Sequence, residues 1–211
     1  MDKLFIVSRY NEDFSWIKEY TNQYIVYNKG VPIEDPHVIN TENIGNNQRD
    51  IFKFVYENYT ELPDVLVFIQ ANPFDHCPKE AFEGLIKDDY FTAIESYGPP
   101  VNGWERRDGL GGYMELNNNW YIQAKNQEFN TTCKYNSFNE FMDHYFTNYI
   151  HSDWIRFTPG SQYIITKEIV LHYPKSFWKE LLDELPRNNM TEGHIIERAL
   201  WNIFQCIWEA R

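Results

Sequence analysis

Residues 65–69, Val-Leu-Val-Phe-Ile, form an unbroken apolar run between Leu62-Pro63-Asp64 and Pro73. Five residues are too few for a helix, and a run without polar alternation has no face to give to water. It predicts a strand buried on both faces, as in a parallel sheet covered by helices. Residues 4–8 (LFIVS) repeat the pattern, and residues 24–27 (YIVY) form another strand, stopped by Asn28-Lys29-Gly30. Residues 14–20 read as a helix, and residues 46–59 carry apolar side chains at 51, 52, 54, 55 and 59, near one helical face. This β-α-β-α-β order predicts an α/β fold, a three-layer α/β/α sandwich around a mainly parallel, mixed central sheet.

Residues 31–45, with Pro32, Pro36, Asn40, Asn43 and Gly45, read as a loop. Residues 97–136 are rich in Gly, Pro, Asn and charge, and Trp104, Tyr113 and Trp120 favour a binding loop there. A helix is expected over 138–149 and a strand over 162–166 after Pro159-Gly160. Pro174 is placed to open a helix over 175–185. A last helix over 193–208 aligns Ile195, Ile196, Ala199, Leu200, Ile203, Phe204 and Ile207 on one stripe. At 211 residues the chain is expected to form one domain.

In such sheets ligands bind beyond the carboxyl ends of the strands. That rule selects residues 8–13, 27–30 and 70–76, all of them polar. In the last segment the amides of Gln70 and Asn72 suit a diphosphate, and Asp75 with His76 suit a divalent cation, Mn2+ or Mg2+. Turn chemistry accounts for the same residues equally well. Ser8, Arg9, Tyr10 and Asn11 follow the first strand, where an amide reads a base or ribose and Tyr10 stacks. A solvated loop whose Asp13 caps the next helix is the competing account. Arg49 and Lys29 are candidates for phosphate contact. Asp108 and Asp153 are acceptor-side candidates for a catalytic carboxylate, against a solvated charge run as the plain alternative.

Thirty-one acids face 19 bases, a net charge of −12, which argues against nucleic acid as partner. Three widely spaced cysteines indicate neither a disulfide framework nor a zinc site. No signal peptide or membrane-length apolar stretch is read, so a cytoplasmic protein is expected. No GxSxG, P-loop, GxGxxG or HExxH occurs.

The segments VSRYNEDFSWI, VYNKG, NIGNNQRDIFKFVYENY, LPDVLVFIQANPFDH, FTPGSQYIITKEIV and IIERALWNIF follow one another in an order similar to GT-A type glycosyltransferases. The resemblance covers most of the chain and is nearest to N-terminal, capsid-protein-glycosylating domains of chlorella viruses. It implies a GT-A like fold, a UDP-sugar donor, Mn2+, and transfer of a hexose or deoxyhexose to a glycan hydroxyl on a protein. It also implies further domains beyond residue 211 and, for a viral protein, the host cytoplasm. It matches Ser8, Arg9, Tyr10 and Asn11 to the base-binding strand end, and Arg49 to an arginine near the diphosphate. Where that family carries an acidic DXD, this chain has Gln70-Ala71-Asn72, which moves the expected metal ligands to Asp75 and His76. Retention of sugar configuration is favoured because no base stands out. A non-catalytic nucleotide- or carbohydrate-binding module with a degenerate metal motif is the alternative.

Overall fold

The computed structural model describes residues 2–96 and 111–211. Among them the strands are β1 (Lys3–Arg9), β2 (Tyr24–Asn28), β3 (Val38–Asn40), β4 (Val65–Gln70), β5 (Thr92–Ala93), β6 (Tyr113–Leu116), β7 (Trp154–Phe157) and β8 (Tyr163–Thr166). The α-helices are α1 (Asn47–Asn58), α2 (Lys79–Leu85), α3 (Trp120–Phe129), α4 (Phe138–Tyr145), α5 (Lys167–Leu171), α6 (Lys175–Asp183) and α7 (Thr191–Phe204).

The main sheet has the order β3-β2-β1-β4-β8-β5. β1 pairs parallel with both β2 and β4, and β2 parallel with β3. β8 then enters antiparallel between β4 and β5. The sheet is therefore mixed, with a parallel half built from the apolar runs. After β1 the chain builds outward through β2 and β3, then returns to β1's other side as β4. This reversal opens a crevice at the carboxyl ends of β1 and β4.

Both faces of the sheet are covered. Ile6, Leu66, Phe68 and Ile165 enter one core with residues of α1, α4, α6 and α7. Their strand neighbours Phe5, Val7, Val65, Val67, Ile69 and Ile164 enter a second core with Ile17 and with Phe82 of α2. Alternate residues of one strand thus serve opposite cores, which explains why the runs carry no polar position.

Four sequence expectations change. Residues 14–20 hold only a short 3-10 turn, Ser15–Glu19, with Ile17 as its buried residue. The expected loop at 31–45 contains β3, whose apolar part is only Val38-Ile39, too brief for a pattern to register. The stretch expected to be irregular contains β6 and α3 from residue 113 onward. Two helices are shorter than expected, α4 ending at Tyr145 and α7 at Phe204. Pro174 does occupy the N-cap position of α6.

A small antiparallel sheet, β6 with β7, leans on α7. Its anchor is Arg198 of α7, whose Nε donates to Glu115 Oε1 at 2.5 Å. The guanidinium lies 3.8 Å from the Tyr121 ring centroid and 4.6 Å from that of Phe157. A buried arginine so held fixes the rotation of α7, and with it the side chains one turn away.

Candidate functional site

A cavity of about 660 Å3 lies in the crevice predicted by the strand order. Ser8, Arg9 and Tyr10 close it from the end of β1, Lys29 from β2, and Gln70, Ala71 and Asn72 from β4. Asn46, which precedes α1, and the helix's first residues Asn47 and Gln48 form one side. Asn188 and Asn189, with His194 and Glu197 of α7, form the opposite wall.

The rim near β1 is tightly constrained. The side chain of Arg9 donates from Nε to Glu12 O at 2.7 Å and from Nη1 to Asn28 Oδ1 at 2.6 Å. Among the described residues its Nη2 group has no hydrogen-bond partner. Tyr10, 51 % exposed, stands over the mouth. Gly30 passes so close that a Cβ there would overlap the Tyr10 carbonyl oxygen, so only glycine lets the β1 and β2 ends meet.

Lys29 has a different task from the one its position suggests. Its Nζ lies 2.9 Å from Asp50 Oδ2, and the two side chains are only 7 % and 3 % exposed. The same nitrogen donates to Asn46 O at 2.9 Å and Gly45 O at 3.3 Å. An ammonium has three donors. All three are spent on positioning the entrance to α1. Burial pushes the Asp50 carboxyl above its ordinary value, while Lys29 and the Ser8 hydroxyl pull it back. Next to this pair Gln48, 2 % exposed, donates to Ser161 Oγ at 2.8 Å, and its buried Oε1 has no protein partner among the described residues.

The back of the cavity turns on Gly160, in the left-handed region at φ 75°. Its N–H donates to Glu197 Oε1 at 2.8 Å, and its carbonyl accepts from Asn47 Nδ2. A Cβ there would stand 2.7 Å from His76 Cδ2 and 3.1 Å from Gln70 Oε1. The loop before β8 therefore draws α1, α7, the end of β4 and His76 onto one residue. Burial pushes the Glu197 carboxyl up, with Arg198 working against it. Burial, then Lys125 and Arg198, push His194 down to about 4. Burial also lowers His76, against the pull of Asp75, so both imidazoles are neutral near pH 7.

The donor set suits a cation held jointly with a ligand. Among the described residues no three His, Cys, Asp or Glu side chains gather around one point. Exposed Asp75, the neutral imidazole of His76 and the neighbouring Gln70 amide oxygen are hard or borderline donors on one rim. Mg2+ and Mn2+ commonly take one or two protein ligands and complete their shell with substrate phosphate and water. The residues fit that kind of site.

Residues 4–211 match the family described as Protein of unknown function (DUF3431). The chain belongs to that family. No match was found among curated proteins or among solved structures.

In this DUF3431 chain the cavity gathers Ser8, Arg9, Tyr10, Lys29, Gln70, Asn72, Asp75 and His76 of the sequence candidates. Asn11 braces the rim instead, its Oδ1 accepting from Val31 N at 3.0 Å. Arg49 points elsewhere: its Nη1 donates to the carbonyls of Leu182 and Leu185 at 3.1 and 2.8 Å, closing the end of α6. Asp153 is exposed at the outer end of β7, a strand's length from Pro159 at the cavity. Asp108 lies outside the described residues. Sequence reasoning missed Gln48, Gly160, His194 and Glu197. The last two stand three apart on α7, one helical face, and that spacing was the only available signal.

Proposed function

We propose that the cavity binds a nucleoside diphosphate sugar and passes its sugar to an acceptor hydroxyl, as a glycosyltransferase of GT-A type. What carries this reading is one junction: the carboxyl ends of three parallel strands meet the N-terminus of a twelve-residue helix and an amide-rich wall. Helix N–H groups favour phosphate. Amides both donate and accept, which suits sugar hydroxyls. The volume falls in the range of small-molecule sites, about 300–1,000 Å3.

Each residue then has a task. Tyr10 stacks on the base at the mouth, and the Arg9 Nη2 group together with the first N–H groups of α1 bind the diphosphate. Asn188, Asn189 and Glu197 hold the sugar against the α7 wall. Lys29 contributes charge and keeps α1's entrance in place, without a direct phosphate bond.

Electrostatics predict cation dependence. Glu12, Asp75 and Glu197 line the cavity against Arg9 and Lys29, and Lys29 is already paired. A diphosphate entering there meets too little positive charge. Asp75 and His76 would hold Mn2+ or Mg2+, which supplies neutralisation of the departing diphosphate.

Calorimetric titration of UDP and UDP-sugars with and without Mn2+, followed by turnover with glycan acceptors, tests this. Binding that needs the cation and weakens in Asp75→Ala and His76→Ala supports it. Absence of UDP binding under every condition sinks it. Binding with no sugar release over many acceptors replaces the enzyme by a binding module.

A further inference from the structure

We infer that the chain carries a second ligand site, a groove along α3 that takes a neutral oligosaccharide. A separate hollow of about 480 Å3 lies between α3 and the segment leading to α4. Eleven residues line it and none is charged. With 24 % of the chain charged, a surface hollow of that size would carry about two or three charges. Amide and hydroxyl side chains make up most of the lining, over the buried Ile122, Cys133 and Tyr135.

The arrangement is linear. At 3.6 residues per turn Trp120, Gln123 and Gln127 fall on one stripe of α3, about 10 Å long, and Asn130, the left-handed residue that ends the helix, follows them. Gln123, Gln127 and Asn130 are exposed, and Trp120, beside the lining rather than in it, is 55 % exposed at the stripe's beginning. Asn126, by contrast, is committed: its Oδ1 accepts from Cys133 N at 3.0 Å and Thr191 Oγ1 at 2.7 Å, which fixes the groove's floor. The side chains of Gln123, Gln127 and Thr132 hold no hydrogen bond with another described residue.

This chemistry selects its ligand. The lining side chains carry no charge, and the charged groups at its edge, Arg187 on Thr131 and Glu140 on Asn136, are each bonded to a lining residue. Amides pair with hydroxyls in either direction. An exposed indole offers a flat apolar face to the C–H side of a sugar ring while its N–H stays wet. An extended peptide would also pair with amides, but the exposed indole at the start of the stripe suits the face of a sugar ring, so the saccharide is favoured. The groove stands on its own lining and does not depend on the nucleotide-sugar reading. The two sites are close: Arg187 Nη2 donates to Thr131 Oγ1 at 2.9 Å, and the next two residues line the first cavity.

The test is an amide-shift NMR titration of the whole chain with cellotetraose, mannotetraose and xylotetraose. Tetragalacturonate serves as anionic control and an unglycosylated peptide as the competing class. At least one neutral tetrasaccharide should give saturable shifts confined to residues 119–136, undisplaced by UDP. Trp120→Ala and the double variant Gln123→Ala/Gln127→Ala should each raise its Kd about tenfold. If Trp120→Ala disturbs folding, the exposed glutamine pair still decides. No shift with any neutral saccharide up to about 10 mM, unchanged Kd in the variants, or preference for the anion or peptide overturns the inference. Failure to bind UDP leaves it intact.

Discussion

Replacing Lys29 by Met isolates the buried pair beneath the cavity. Lys29→Met keeps most of the stem's volume but removes the charge facing Asp50 at 2.9 Å and two bonds to the carbonyls of Gly45 and Asn46. Removing one partner of a buried pair costs about 3–5 kcal/mol, because the other charge stays buried without compensation. Against a domain's usual 5–15 kcal/mol that is a large share. The loss has a pH signature. Burial already holds the Asp50 carboxyl above its ordinary value, and without Lys29 it rises further. The folded variant then keeps a proton that the unfolded chain releases above about pH 4. Stability falls as pH rises through that window, so the deficit is smaller at pH 5 than at pH 8. Adding Asp50→Leu removes the stranded carboxylate and should recover more than half of the loss. Urea unfolding followed by tryptophan fluorescence at both pH values measures all three. A single variant within about 1 kcal/mol of the parent, or a double variant no better than the single, refutes the pair's role.

Gly160→Ala puts a Cβ 2.7 Å from His76 Cδ2 on a left-handed backbone, so a stability loss of about 1–3 kcal/mol with weakened UDP binding is expected. Unaltered calorimetric affinity would show that the Gly160 junction is not part of the binding surface. Gly30→Ala should shift the β1 and β2 ends apart and cost more than Gly84→Ala, whose Cβ meets nothing within 4 Å; equal melting temperatures would contradict that. His194 lies at about 4 in the folded chain against an ordinary 6.5, so the unfolded chain takes the proton first and stability falls as pH drops through that interval. Between pH 7 and pH 4.5 the parent should lose up to about 3 kcal/mol more than His194→Gln, at 1.36 kcal/mol per pH unit. Parallel losses in urea midpoints would disprove it.

One half of the site was legible because it is local. The runs at 4–8 and 65–69 have no polar position, which marks strands between two covers, and polar residues at their carboxyl ends then nominate a ligand crevice. Ser8, Arg9, Gln70, Asn72 and His76 came from that rule and do line one cavity. The other half is assembled at long range. Asn47 reaches Gly160 across 113 residues and Gly160 reaches Glu197 across 37. No pattern within a window contains those pairings. Arg49 shows the converse error: a helix arginine near a phosphate-seeking helix end looks available in sequence, yet its reach happens to match the open carbonyls at the end of α6. Lys29 lines the cavity as its place after β2 suggests, but nothing local reveals that Asp50, one helical turn into α1, lies beneath it and takes its charge.

The two charged clusters explain how the halves are held in register. Lys29 with Asp50 locks the entrance of α1 to the end of β2, and Arg198 with Glu115 locks α7 to the small sheet. Both are deeply buried, and buried charges are costly to keep unless geometry is strict. Gly160 then closes the gap between the locked helices, accepting from Asn47 and donating to Glu197. Each wall of the cavity is thus set by groups that need not touch a ligand themselves. Rigid support under a polar pocket lowers the ordering cost of binding. It also concentrates the chain's stability beneath its site, so substitutions at Lys29, Asp50, Arg198 or the buried Gln48 should affect folding and binding together, whereas Asn188 should affect binding alone.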